Sequence, residues 1–400
     1  MKFGLIKERK TPPDHRVVFS PEGLKRLKTT YPAVGIAVEA SEVRAFSDQE
    51  YQDAGFQVVT NLNDCDVLFG VKEVPVDALI ANKTYLFFSH TIKKQPYNQK
   101  LLRACLDKNI TLIDHETLVD ADNVRLIGFG RYAGMVGAYN ALAAFGKKYD
   151  LYNLVPATKL HGKEDLIERL KRPFIPPIKI IVTGKGKVGN GVHEILKGMK
   201  MKEVSSDAFL NKTFTHPVFC QIDVLDYNIR KDGQKMGVTD FYNHPEDYVS
   251  DFEKFTKVAD IFIAGHFYGN GAPAILTQAM LNAPDCKIKV VGDISCDVDG
   301  PIACTIRSST IAEPLYGYNP STGKEVPFDH PAAITVMAVD NLPCELPKEA
   351  SDGFGTMFLD HVIESFFNDD KDGVLARAAI TKNGKLTKRF AYLQDYADGK

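Results

Sequence analysis

The sequence predicts an α/β fold of two domains, each built on a parallel sheet. Three observations carry this. The chain is 400 residues long, too many for one ordinary core and enough for two. Its first 130 residues alternate short apolar runs with amphipathic stretches, the pattern of strand–helix–strand units. A glycine-rich turn from residue 184 separates an apolar run from a helix-like stretch.

Taken in order, strands are expected at residues 3–6, 35–38, 67–71, 84–89, 111–114 and 126–130. Helices are expected at 21–27 and 98–106, where apolar residues recur at helical spacing. Residues 131–149, rich in Ala, Gly, Leu and Met and without proline, read as a long buried helix leaving the first unit. Residues 151–177 are richer in Lys and Glu and close on Pro173-Phe174-Ile175-Pro176-Pro177, where proline ends a helix and admits a strand. A second α/β unit follows, with strands at 178–183, 261–264, 287–292 and 334–339, and 205–250 read as a polar, irregular insertion. Phe354, Phe358, Val362 and Phe366 are four apart on one helix face, which is expected to pack back on the first domain. The expected division is 1–135 with 345–400 as one domain, and 136–344 as the other.

Composition narrows the function classes. The 49 Lys and Arg against 51 Asp and Glu leave a formal charge of −2, without the basic excess a nucleic-acid binder needs. At 44% hydrophobic and 25% charged the chain is globular, and no apolar run approaches the ~18 residues of a membrane span. The first ten residues lack an apolar stretch of leader length, so the expectation is a cytoplasmic protein. The seven cysteines are scattered without a Cys-x-x-Cys pair and the ten histidines show no metal-ligand spacing. Reduced thiols and no metal site are expected.

The strongest motif is Gly184-Lys185-Gly186-Lys187-Val188-Gly189 after the strand 178–183 and before the helix-like 192–199. Glycines there permit a tight turn, admit a pyrophosphate to the backbone and let helix pack on strand. The phosphates then meet unpaired N–H groups at the helix start. This predicts a Rossmann-like site for NAD or NADP. The residue that would choose between them falls about twenty positions on, at Ser205, Ser206 or Asp207, which leaves the choice open.

Polar residues at the carboxyl ends of the first unit's strands are candidates for chemistry: Lys72, His90 and Glu116, with Arg16 and Arg125 nearby. Arg suits carboxylate capture, a crowded Lys can act as a base, and His serves as acid or base near neutral pH. Taken singly, each has a bland explanation. Lys72 could be a solvated loop residue, His90 a core histidine, Arg125 a partner of Asp120 or Asp122, and Glu116 a helix-start carboxylate.

Residues 7–10 (Lys-Glu-Arg-Lys) and 15–21 (His-Arg-Val-Val-Phe-Ser-Pro) resemble the start of the alanine dehydrogenase and saccharopine dehydrogenase superfamily. Gly70-Val71-Lys72-Glu73-Val74-Pro75 and Phe88-Ser89-His90 do so too. Arg125-Leu126-Ile127-Gly128-Phe129-Gly130-Arg131-Tyr132-Ala133-Gly134 resembles, more selectively, the lysine-forming saccharopine dehydrogenases and lysine–2-oxoglutarate reductase domains. Gly292-Asp293-Ile294-Ser295-Cys296-Asp297 and Val339-Asp340-Asn341-Leu342-Pro343 extend the match, which runs from residue 3 to about 365.

The resemblance implies two Rossmann-like domains with substrate in the cleft between them, NAD or NADP as cofactor, small-molecule substrates (saccharopine, lysine, 2-oxoglutarate), and a monomer or small homo-oligomer. It implies Lys72 as general base, His90 as general acid, and Glu116 tuning the pair. Arg16, Gln95, Arg125 and Phe129 would contact saccharopine. Gly184, Gly186, Lys187, Gly189, Ser205, Phe267, Gly292, Asp340, Asn341 and Leu342 would meet the cofactor, and Asp293, Ile294 and Ser295 would approach both ligands. Val124 stands where some NAD-dependent relatives have a second Arg. Ser205 or Ser206 replaces their acidic ribose ligand, and 242–248 looks like the reductase branch, whose members often use NADP. The competing readings are an alanine or other small amino-acid dehydrogenase, and a non-catalytic nucleotide-binding sensor.

Overall fold

A computed structural model describes residues 1–269 and 271–400. The chain forms two compact units, Met1–Phe129 with Pro347–Lys400 and Gly130–Leu346. Its first segment carries strands β1 (Lys2–Leu5), β2 (Gly35–Glu39), β3 (Gln57–Val59), β4 (Val67–Phe69), β5 (Thr84–Phe87) and β6 (Thr111–Asp114). After the helix Gly130–Lys148 come β7 (Lys179–Thr183), β8 (Lys202–Glu203), β9 (Val218–Ile222), β10 (Asn228–Arg230), β11 (Tyr248–Ser250), β12 (Ile261–Ala264), β13 (Val290–Asp293), β14 (Leu315–Asn319), β15 (Lys324–Val326) and β16 (Ile334–Met337). The last segment holds the helix Pro347–His361 and strands β17 (Ala379–Lys382) and β18 (Lys385–Leu386).

The first unit's sheet runs β18-β17-β6-β5-β4-β1-β2-β3, parallel from β6 to β3. Chain order reverses between β1 and β4, so the carboxyl ends of these two strands open the crevice where such sheets hold ligands. Local chemistry agrees with the elements. Ser20 caps the helix Pro21–Thr30 by accepting the Gly23 N–H at 3.1 Å, with Pro21 at the first helical position. On the helix Pro347–His361, Phe354 and Phe358 are wholly buried. The helix stops at His361, and Val362 and Phe366 continue that apolar face from outside it.

The second unit's sheet runs β15-β14-β16-β13-β12-β7-β9-β8, parallel from β16 to β8, and reverses between β7 and β12. All four residues of β12, β13 and β16 are buried, as parallel strands covered on both faces require. The helix Gly130–Lys148 is buried nearly all round, as its composition predicts.

Two expectations are corrected. Residues 126–130 form no strand: Val119 and Arg125 make an isolated bridge, the Leu126 N–H donates to the Leu118 carbonyl at 3.0 Å, and Gly130 already begins a helix. The place beside β6 is taken by β17 from the far end of the chain. The polar stretch 205–250 is not merely an insertion. It supplies β9, almost wholly buried and hydrogen-bonded along its length to β7. All seven cysteines are free thiols. Among the described residues no helix is long and apolar enough to cross a membrane.

Candidate functional site

In the first unit the chain beyond β4 leaves the ladder at Gly70 and carries Lys72. The Glu8 carboxylate, just beyond β1, accepts the N–H groups of Val71 at 2.7 Å and Lys72 at 2.9 Å. His115 Nε2–H donates to the Gly70 carbonyl at 2.8 Å; burial holds this histidine down to about 3 and therefore neutral. The Lys72 ammonium makes no hydrogen bond or ion pair with the described residues.

His90 follows β5 in a left-handed conformation (φ 53°), uncommon for a side-chain-bearing residue and enriched at functional sites. Its Nδ1 lies 3.5 Å from Glu116 Oε2, and Lys93 Nζ lies 2.9 Å from Glu116 Oε1. Burial alone would raise the Glu116 carboxyl, but His90 and Lys93 outweigh it and hold it at about 2. The ammonium that reaches Glu116 is Lys93. Asp114, wholly buried, braces both strand ends by accepting the Ser89 N–H at 2.9 Å and the Glu116 N–H at 2.7 Å.

An aromatic wall stands beside these groups. Phe129 stacks on Phe354 at 4.2 Å, the Arg16 guanidinium lies 4.2 Å from the Phe129 ring centre, and Arg125 lies 5.4 Å from that of Phe88. Arg16 is buried, and its Nε and Nη2 edge is occupied by Asp14 at 3.0 and 2.7 Å. Burial raises Asp14, but Arg16 overrides it and holds the carboxyl at about 2. Gln95 is half-buried; its amide oxygen accepts the Tyr97 hydroxyl and its carbonyl the Tyr396 hydroxyl at 2.6 Å.

In the second unit the glycine loop joins β7 to the helix Lys187–Gly198, whose N-cap is Gly186. Gly184 has φ +91°, and a Cβ on Gly189 would lie 1.9 Å from the Gly184 carbonyl oxygen, so neither tolerates a side chain. His266, just past β12, hydrogen-bonds Thr183 Oγ1 through Nδ1 at 2.7 Å, while its buried Nε2 has no partner among the described residues. Burial holds this imidazole at about 4, hence neutral. Phe267 beside it is 74% exposed.

Other residues expected here behave differently. Asp293 is fully buried and its carboxylate is taken by Ser295, Cys296 and Thr305. Its side chain therefore braces the loop after β13. Gly292 lies within β13. Ile294 and Ser295 are half-buried, Asp340 is exposed, Asn341 has φ +75°, and Leu342 is buried. Ser205 caps the short helix Ser206–Asn211 through a hydrogen bond from the Ala208 N–H.

Counting twenty residues lands at Ser205, but β8 is an outer strand and β9 is the neighbour of β7. The residue following β9 is Asp223, whose N–H donates to Asp226 Oδ2 at 2.7 Å. Ser205, Lys185 and Asp226 line one open groove of about 480 Å³. Sequence reasoning missed Glu8, Asp14, Lys93, Asp114 and Asp223 as site residues. The apolar run Val218-Phe219-Cys220-Gln221-Ile222 was the available signal for the last.

These two clusters define a class: an α/β protein of two Rossmann-like units, each with polar residues gathered at a strand-order reversal. A family model for the N-terminal domain of alanine dehydrogenase/PNT matches residues 4–136. The alpha-aminoadipic semialdehyde synthase of Arabidopsis thaliana is 29% identical over 399 residues, covering 90% of this chain and 38% of that protein. The lysine-forming, NAD(+) saccharopine dehydrogenase of Yarrowia lipolytica is 24% identical over 389 residues, covering 91% and 92%. Among solved structures, an L-alanine dehydrogenase matches with a TM-score of 0.66 at 17% identity, over 100% of this chain and 99% of the other. A transhydrogenase from Sinorhizobium meliloti matches with a TM-score of 0.61 at 16% identity, over 96% and 100%. The chain spans less than half the length of the semialdehyde synthases it matches. Residues 4–136 thus match the alanine dehydrogenase/PNT N-terminal domain, and most of the chain is similar to alpha-aminoadipic semialdehyde synthases and saccharopine dehydrogenases.

Proposed function

We propose that this chain is an NAD-dependent oxidoreductase that interconverts saccharopine and water with lysine and 2-oxoglutarate. The observation that carries the reading is Lys72: a side-chain amine with no hydrogen bond or ion pair among the described residues, on a clamped main chain at a strand-order reversal. The names of the relatives supply the substrate class. The second unit's residues fit a dinucleotide. The glycine loop leaves backbone N–H groups at a helix start, and the unpartnered His266 Nε2 and exposed Phe267 stand at the neighbouring strand end. When bound, the nicotinamide accepts the hydride from the carbon bearing the secondary amine.

Lys72, acting as the base, takes the proton of the substrate's secondary amine as that carbon is oxidised to an imine. Water adds to the imine carbon and loses a proton to a base. His90, beside Glu116, acts as the acid that donates to the departing ε-amine of lysine as the carbon–nitrogen bond breaks. Arg125 and Arg16 set a positive field for the substrate's carboxylates. The carboxylates of Asp223 and Asp226 favour a ribose 2′-hydroxyl and repel a 2′-phosphate.

The test is oxidation of saccharopine in parallel with NAD and NADP, with pyruvate plus ammonia as the control. Turnover of saccharopine is expected, with kcat/KM for NAD at least about tenfold above that for NADP. Turnover of pyruvate alone would move the assignment to a small amino-acid dehydrogenase. Asp223→Ser is expected to narrow the cofactor ratio, read from the same assay.

A further inference from the structure

We propose that Glu8 is a positioning residue for the reaction: its carboxylate fixes the main chain that presents the Lys72 amine. The proposal rests on reading Lys72 as the base. The main chain from Gly70 to the Lys72 N–H is held on every side. The Gly70 N–H donates to Leu86 O at 2.9 Å, and the Gly70 carbonyl accepts from His115. The Val71 carbonyl accepts from the Phe88 N–H at 3.0 Å. Two donors then remain, the N–H groups of Val71 and Lys72, and one carboxylate takes both, one on each oxygen. These residues have left the sheet ladder, so without Glu8 nothing in the described structure replaces those acceptors.

The approach is tight. A Cβ on Gly70 would sit 2.5 Å from Ile6 Cδ1 and 3.6 Å from Glu8 Oε1, so the segment after β1 lies directly against the segment after β4. The same carboxylate feels Asp14 and Arg16, and Asp14 in turn feels Lys72. Burial pushes Glu8 up to about 8 despite its two N–H donors. Since a displacement of about 1 Å at a reacting group costs on the order of a hundredfold in rate, loosening this clamp is expected to be felt at Lys72.

The experiment is a cycle of Glu8→Gln and Lys72→Met in the full chain, followed by saccharopine oxidation, with melting temperatures recorded for each. Gln keeps the shape but presents an N–H donor where an acceptor is needed. The expected result is a kcat loss of about ten- to a hundredfold for Glu8→Gln, with KM for NAD unchanged. In the Lys72→Met background the further loss is expected to be less than about twofold. Wild-type activity in Glu8→Gln overturns the proposal. So does an equal loss in both backgrounds, which marks a general structural role. Full activity in Lys72→Met overturns the underlying assignment of the base, and the proposal with it. If Glu8→Gln does not fold, Glu8→Asp, which withdraws the charge by one methylene, enters the same cycle with the same criteria.

Discussion

Glu345 is 4% exposed and receives one hydrogen bond, from Asn140 Nδ2 at 2.8 Å. Burial pushes its carboxyl from the ordinary 4.5 up to about 7. A carboxyl raised on folding binds its proton more tightly in the native state. Its contribution to stability is therefore present below pH 4.5 and lost as pH rises through about 7. Glu345→Gln keeps the oxygen that Asn140 uses and removes the ionisation. It is expected to stabilise the protein by about 1–3 kcal/mol at pH 8 and by nothing at pH 4, measured by denaturant melts at both pH values. Equal effects at the two pH values would contradict the assignment. Asp14 and Glu116 act in the opposite sense: both are held at about 2, so their stabilisation is lost as pH falls from about 4 towards 2. For the chemistry, Lys72→Met and His90→Gln are each expected to lower kcat by about a hundred- to ten-thousandfold while leaving the fold intact.

At the scale of elements, the glycine loop makes the sharpest prediction. A methyl group on Gly189 would stand 1.9 Å from the Gly184 carbonyl oxygen, so Gly189→Ala must push the helix Lys187–Gly198 away from β7. Stability is expected to fall by about 1–3 kcal/mol, and NADH binding, followed by fluorescence titration, by more than the melt alone accounts for. This loop was legible in the sequence because strand, glycines and helix are contiguous. The same holds for β6 and β12, whose ends fall where hydrophobic pattern alone puts them. What was not legible depends on distant partners. Residues 126–130 are apolar enough for a strand, yet β17, more than two hundred and fifty positions away in sequence order, holds that place in the sheet. Asp223 could not be found by counting, because β8 intervenes in the chain but lies outside β9 in the sheet. In the candidate site, Lys72, His90 and Glu116 were visible as polar residues after apolar runs. Glu8, Asp14 and Lys93 were not, because their roles come from side chains meeting across strands or turns, which no local pattern records.

At the scale of the molecule, the two units differ in how the chain builds them. The second is one continuous stretch, Gly130–Leu346, with its own sheet and its own buried cluster around Phe252, Phe255 and Phe262. The first is assembled from both ends of the chain, and its central sheet takes β17 and β18 from the last segment. Thr381 shows how closely that segment is fitted: its hydroxyl donates to the Ile110 carbonyl at 2.7 Å and accepts the Leu112 N–H at 3.1 Å. Phe354 stacks on Phe129, and Phe358 packs edge-on against Phe19 and Phe69, so the helix Pro347–His361 supplies core that residues 1–129 lack. Residues 130–346 produced alone are therefore expected to melt cooperatively and to bind NADH. Residues 1–129 alone are expected to remain unfolded, because the exposed edge of β6 and the uncovered phenylalanines have no substitute. Adding residues 347–400 as a separate chain should restore structure to that piece, read by circular dichroism as a rise in helix and strand signal on mixing. If 1–129 folds without them, the C-terminal segment decorates a core that the first segment already completes, and β17 is an addition to the sheet instead of a part of its foundation.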